Sequence, residues 1–322
     1  METKPRLPLN TLGIGFGLAG LAGTWTAAGP ALGAPKAAGE ILWGVAAVAW
    51  LVTLLRYAAA ARLRDIAEDL RHPVLGPFAA LAPTTGSLLA AHLATFLPAT
   101  GRVLVWVMLA AAVAFGAWFL ASMLTVPRQL ATLHGGYLLP TVAASLIASQ
   151  SLATIGHRDA ATALFAVGIL FWLLIGAVLL GRFATGDALP GPLLPTLAIF
   201  SAPPAVAGNA WWAIAGPRMS TMHEVLLGTL AALLLPHLFL LRRYLRLPFV
   251  LGFWAFTFTT AASATYGVRL LTLAPSPLHT MIAWLVVTVA TVLIGAVAGR
   301  SLALLNPPRR LREEDRSPAA VR

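Results

Sequence analysis

The sequence predicts an all-α integral membrane protein of ten transmembrane helices, paired as five helical hairpins in a quasi-five-fold arrangement about a central axis. Three observations lead there. Only 10% of the 322 residues are charged and 59% are hydrophobic, with a mean hydropathy of +0.83, whereas a soluble domain carries about 25% charge. Apolar stretches of about 20 residues, each able to cross a hydrocarbon core of ~30 Å, recur along the whole length. Helix-breaking and hydroxylated residues gather in alternate stretches.

The stretches fall at 8–28, 41–60, 77–97, 103–125, 138–155, 160–182, 192–213, 222–242, 248–267 and 278–299. The 138–156 stretch is the weakest, so nine and eleven are the alternative counts. Lys4 and Arg6 precede the first stretch, and Ala31-Leu32-Gly33-Ala34 could pass for a signal-peptidase site. The stretch is longer than an ordinary signal-peptide core and rich in glycine, so it is read as the first helix. Gly15-Phe16-Gly17-Leu18-Ala19-Gly20 matches a dinucleotide-binding pattern, but no strand precedes it and the glycines lie within an apolar span. Gly13 and Gly17, four apart, fit close helix packing or a narrow wall. Between the second and third stretches, Leu63, Ile66 and Leu70 recur at helical spacing opposite charges, which predicts a short interfacial helix. Residues 1–305 form one membrane domain in this reading, and 306–322 a basic, disordered cytoplasmic tail.

Basic residues set the orientation. Seventeen of the 22 lysines and arginines fall on the side of Lys4, Arg6, Arg56, Arg128, Arg182, Arg242 and the tail. Lys36, Arg102, Arg158, Arg218 and Arg269 fall on the other. That split places both termini in the cytoplasm. The net charge of +11 is accounted for by topology and lipid headgroups, so nucleic acid is not expected as a partner. No cysteine is present, which excludes disulfide and thiol chemistry.

Odd and even stretches differ. Pro83, Pro140, Pro195, Pro203 and Pro204 lie in odd ones, and Pro236 alone in an even one. Hydroxyls cluster likewise: Thr141, Ser145, Ser149, Ser151 and Thr154 in the fifth stretch, and Thr257, Thr259, Thr260, Ser263 and Thr265 in the ninth. Proline frees a carbonyl that lipid cannot satisfy, and small or hydroxylated residues favour helix contact or a wet cavity. The odd stretches are therefore expected inside and the even ones against lipid. Five inner helices would ring an axis, although a solid bundle is also compatible with the pattern.

None of the eleven acidic residues lies deep in a stretch, nor does any Lys or Arg sit at mid-membrane. Proton relays and acidic cation filters are thereby disfavoured. A neutral path between basic mouths favours anions. His92 and His237 lack partners at metal-ligand spacing and are read as hydrogen-bonded structural histidines. No catalytic set, metal site or cofactor is expected.

Four segments carry a family resemblance. They are Pro8-Leu9-Asn10-Thr11-Leu12-Gly13-Ile14-Gly15-Phe16-Gly17-Leu18-Ala19 ending in Trp25; His72-Pro73-Val74 with Phe78; Leu194-Pro195-Thr196-Leu197 with Ala202-Pro203-Pro204-Ala205-Val206; and Phe253-Trp254-Ala255-Phe256-Thr257-Phe258-Thr259. Spread over the chain in family order, they resemble the tellurite-resistance/dicarboxylate transporter family, which includes TehA-like proteins and slow-type anion channels. The resemblance implies a pore within each subunit of a homotrimer, in a bacterial inner (plasma) membrane, conducting small anions and surrounded by lipid. It implies that Phe258 plugs the pore, that Gly13 and Gly17 approach the plug, that Pro83, Pro140, Pro195 and Pro204 are kinks along it, and that Thr257 and Thr260 line it. Leu12 stands where the family usually has Phe, and Thr259 where plant members tend to have Pro. A carrier of oxyanions or C4-dicarboxylates (tellurite, sulfite or malate) and a non-transporting membrane bundle are the alternative functions.

Overall fold

The computed structural model describes residues 6–305; Lys4 and the basic tail 306–322 lie outside them. Among the described residues every regular element is helical.

Five long helices alternate with shorter segments. The long ones are α2 (Lys36–Ala60), α5 (Pro98–Thr125), α7 (Arg158–Thr185), α10 (Thr221–Leu245) and α12 (Pro277–Leu305), each 25–29 residues. The shorter helices are α1 (Gly13–Leu32), α4 (Leu81–Leu93), α6 (Ala144–Thr154), α8 (Leu197–Ser201) with α9 (Pro203–Ala215), and α11 (Trp254–Leu271). Each short segment is entered through a tight 3₁₀ turn: Leu9–Leu12, Gly76–Ala80, Gly135–Leu138, Gly191–Thr196 and Leu251–Phe253. The third continues through a π turn, Leu139–Ala143, that carries Pro140. Pro77, Pro140, Pro192 and Pro195 sit in these turns, where a missing amide hydrogen interrupts regular α-helical bonding. No such interruption opens the long helices.

Six helices are long and apolar enough to cross a membrane: the five long ones and Gly191–Ala215. A seventh candidate joins Leu63–Arg71 to Gly76–Leu93 across a bend of 113°. The remaining predicted stretches are shortened by their 3₁₀ and π entrances or diluted by glycine and threonine. The most apolar windows of the five long helices are only 11–28% buried, against 78% for Gly191–Ala215. That contrast follows the alternation of proline and small residues in the sequence.

Consecutive elements pack in pairs: α1 on α2, α4 on α5, α6 on α7, α9 on α10 and α11 on α12. The short segments also close on one another, α1 against α4, α4 against α6, α6 against α9, α9 against α11 and α11 back against α1. Hydroxyls stitch this inner layer. Thr24 Oγ1 lies 3.0 Å from Thr265 Oγ1 and 3.1 Å from the Ala261 carbonyl, tying α1 to α11. Ser151 donates to the Ser87 carbonyl at 3.2 Å, tying α6 to α4. Each such bond satisfies a buried hydroxyl that would otherwise cost about 1–3 kcal/mol.

The interfacial helix α3 (Leu63–Arg71) forms as its periodicity predicts. Asp65 accepts the Arg62 amide hydrogen at its start (3.0 Å), and this bond holds the carboxyl below its ordinary range. The following loop is pinned by the third short segment. His134 Nδ1 accepts the Gly136 amide hydrogen (3.1 Å), which leaves Nε2–H to donate to the Val74 carbonyl (2.9 Å). Tyr137 donates to the Pro73 carbonyl at 2.7 Å. Burial pushes the His134 imidazole down to about 4. The His72-Pro73-Val74 motif thus anchors a loop.

Candidate functional site

Two cavities lie along the ring of short segments. The first is narrow. It has a volume of only about 40 Å³. The second is a vestibule of about 760 Å³. Every short segment contributes to both cavities, in the same chain order. On the first segment Phe16 faces the narrow cavity and Thr26 the vestibule; on the second, Leu81 and then His92; on the third, Leu146 and then Gln150. On the fourth they are Val206 and Trp212, and on the fifth Phe258 and Arg269. The five segments therefore run in one direction around a shared axis. On α6 the two cavities are four residues apart, about 6 Å at helical rise.

Phe16, Leu146, Val206 and Phe258 lie at the end of the narrow cavity that chain order places toward the vestibule. The rings of Phe16 and Phe258 stack at 3.6 Å, inclined by 13°. Leu146 and Val206 are buried alongside. The stack depends on how closely α1 approaches α11. A Cβ on Gly17 would lie 2.8 Å from Thr257 Cβ, and one on Gly20 would lie 2.9 Å from Ala261 Cβ and 3.0 Å from Phe258 Cδ2. Any side chain at either position would push the helices apart and unstack the rings.

Of the residues singled out from the sequence, Gly13 and Phe258 line the narrow cavity. Gly17 and Thr257 face each other at the α1–α11 contact, where Thr257 Oγ1 donates to the Trp254 carbonyl at 2.8 Å. Thr260 is half-buried and lines neither cavity; its neighbour Thr259 lines the first and donates to the Ala198 carbonyl at 3.0 Å. Pro204 is buried beside the lining residue Pro203. Pro195 is buried within its 3₁₀ turn. Pro83 lines an outer cleft with Thr53 and Phe115, and Pro140 another with Leu109 and Phe171. Prolines and hydroxyls thus mark the inner segments by shaping and satisfying their backbone, while the narrow lumen itself is faced mainly by aliphatic and aromatic side chains.

Sequence reasoning missed Asn10, Phe16, Arg269 and its partner Asn209. Asn10 lines the narrow cavity, and its Oδ1 is buried with no partner among the described residues. Phe16 supplies half the ring stack. Arg269, expected in a loop, lies in the last turn of α11 and lines the vestibule. Its Nη1 donates to Asn209 Oδ1 (2.9 Å) and to the Asn209 carbonyl (3.3 Å), while its guanidinium lies 5.8 Å from the Trp212 ring. A signal for Arg269 was present: it follows Phe258 by eleven residues, about three helical turns, and so shares its face.

The two expected structural histidines both find partners. His92, at the vestibule, contacts Glu40 Oε2 at 2.9 Å and stacks on Trp43 at 4.5 Å. His237 bridges Ser201 (2.8 Å) and Tyr244 (2.9 Å). Among the described residues, no aspartate or glutamate lines either cavity.

Comparison with known proteins identifies the family. The family described as voltage-dependent anion channel, SLAC1, matches residues 6–302. The tellurite resistance protein TehA homolog of Haemophilus influenzae is 29% identical over 273 residues, 81% of each chain. The S-type anion channel SLAH2 of Arabidopsis thaliana is 25% identical over 285 residues, 81% of this chain and 52% of the relative. The S-type anion channel SLAH4 of the same plant is 32% identical over 102 residues, 32% of this chain and 27% of the relative. This multi-pass membrane protein belongs to the SLAC1 voltage-dependent anion channel family.

Proposed function

We propose that the chain is a channel for small anions, with one path within each subunit, running along the ring of short segments and closed by the stacked rings of Phe16 and Phe258. Ten crossings in five hairpins surround the path, each a short segment followed by a long helix. Both termini face the cytoplasm, as the distribution of basic residues requires. Subunits assemble as the homotrimer that the family resemblance implies.

One observation supports the reading: all five short segments line a narrow cavity and then a wide vestibule in the same order, and the stacked ring pair, which we read as a septum between the two, lies on the narrow one. Such a septum blocks an ion sterically and by withholding hydration. With no carboxylate among the residues lining either cavity and an arginine on one, the path favours anions over cations at that arginine and is neutral elsewhere. The family relatives named as anion channels support the same substrate class.

A second reading, an oxyanion or C4-dicarboxylate carrier, is favoured by the tellurite-resistance name of the Haemophilus relative. Proteoliposomes separate the two. A channel passes labelled chloride or nitrate without stimulation by unlabelled anion on the opposite side, and Phe258→Ala raises the flux. Trans-stimulated, saturable exchange would establish the carrier instead.

A further inference from the structure

We propose that Arg269, held by Asn209 against Trp212, forms a fixed-charge site in the vestibule for a single monovalent anion. The inference deepens the channel reading and rests on it only for the role of the bound ion in conduction. The guanidinium sits within the fold, and among the described residues it forms no salt bridge. Glu40, on the helix beside the vestibule, is already engaged by His92. A fixed cation in protein is costly unless paired. The carbonyl end of α11 offsets at most about half a charge, and the neutral Asn209 oxygens supply orientation without compensation. What remains is a positive centre bordering wet space that a mobile anion can enter.

Asn209 makes this site more than a stray surface arginine. Its side chain is buried, donates through Nδ2 to the Ala262 carbonyl (2.9 Å) and accepts from Arg269 through Oδ1 (2.9 Å). The amide is therefore locked in one orientation and α9 is tied to α11. Asn209 occupies only Nη1 of the guanidinium; five N–H donors in a planar fork leave others for a ligand. One fixed charge balances one monovalent ion. A dicarboxylate would bring a second negative charge that no other lysine or arginine among the described residues lining the vestibule balances.

Thermal unfolding of the full-length protein in detergent tests this without any current. Sodium nitrate is titrated against disodium succinate at matched ionic strength, on wild type, Arg269→Gln and Arg269→Lys. Wild type should show a nitrate-dependent rise in Tm of roughly 2–4 °C per tenfold concentration above Kd, with no matching rise in succinate. Arg269→Gln should lose the rise; Arg269→Lys, which keeps the charge but not the fork, should retain it at higher nitrate. Absence of a nitrate-specific rise in wild type, equal stabilisation by succinate, or an unchanged rise in Arg269→Gln overturns the site. If Arg269→Gln does not fold, the wild-type and Arg269→Lys titrations still decide. A wild-type protein without this binding signal but with anion flux intact would refute the site and spare the channel reading; one with the signal but no flux would refute the channel and spare the site.

Discussion

Replacing Phe258 by Ala removes one of two rings in face-to-face contact at 3.6 Å. The gap between the Phe16 ring and the atoms beyond Phe258 then grows to two contact distances, ~7 Å between atom centres, or ~3.5 Å clear of both surfaces. That admits a small anion stripped of most of its water, and it joins the narrow cavity to the vestibule. Deleting a buried Phe side chain costs about 3–5 kcal/mol where the void stays dry; water entering from the adjoining cavities holds the loss near the low end. Each 1.4 kcal/mol removed from the barrier to passage multiplies current about tenfold, so a rise of at least one order of magnitude is expected. The assay is current across a planar bilayer holding purified protein, with the reversal potential read under a chloride gradient to establish selectivity. Wild-type current from a Phe258→Ala protein that remains monodisperse and helical would refute the gate, and so would a cation-selective current.

Further outcomes follow from the same contacts. Phe16→Ala should raise anion current about as much as Phe258→Ala, and the double variant should deviate from additivity because the rings touch; additive effects in a double-mutant cycle would contradict a shared septum. Gly17→Ala should destabilise the α1–α11 contact by about 1–3 kcal/mol, and adding Thr257→Gly should recover part of the loss, measured by thermal unfolding. Ser149→Ala should cost about 1 kcal/mol by removing the 2.7 Å bond that ties α6 to the Ala161 carbonyl of α7, and leave conduction unchanged; altered selectivity would place that hydroxyl on the path. His134 is neutral in the folded protein down to about pH 4, whereas an unfolded histidine takes up its proton near 6.5. The unfolded state therefore binds more protons between those values, and stability should fall as pH drops from about 6.5 to 4. His134→Asn should flatten that limb of the Tm–pH profile; an unchanged slope would show that other groups produce it.

Class and layering were legible in the chain itself. Apolar runs far too numerous for a soluble domain dictate a membrane solvent, and a proline or a cluster of threonines is tolerable there only where neighbouring protein satisfies the backbone. Pro140, Pro195 and Ser149 therefore announced which segments turn inward, and Leu63, Ile66 and Leu70 announced α3. What those residues face was not legible. A threonine that closes onto its own helix and one that lines a lumen look identical in a string of letters, so nothing in the chain told that Thr259 rather than Thr260 borders the narrow cavity, or that Pro83 and Pro140 border outer clefts. Tertiary structure alone decided that Phe16 meets Phe258, because the two lie 242 positions apart and are brought into register by the Gly17–Thr257 and Gly20–Ala261 contacts. It also decided that Arg269 turns into the vestibule: local sequence sets the helical face of a side chain, but only the packing of α9 against α11 supplies the Asn209 oxygens that hold its charge there.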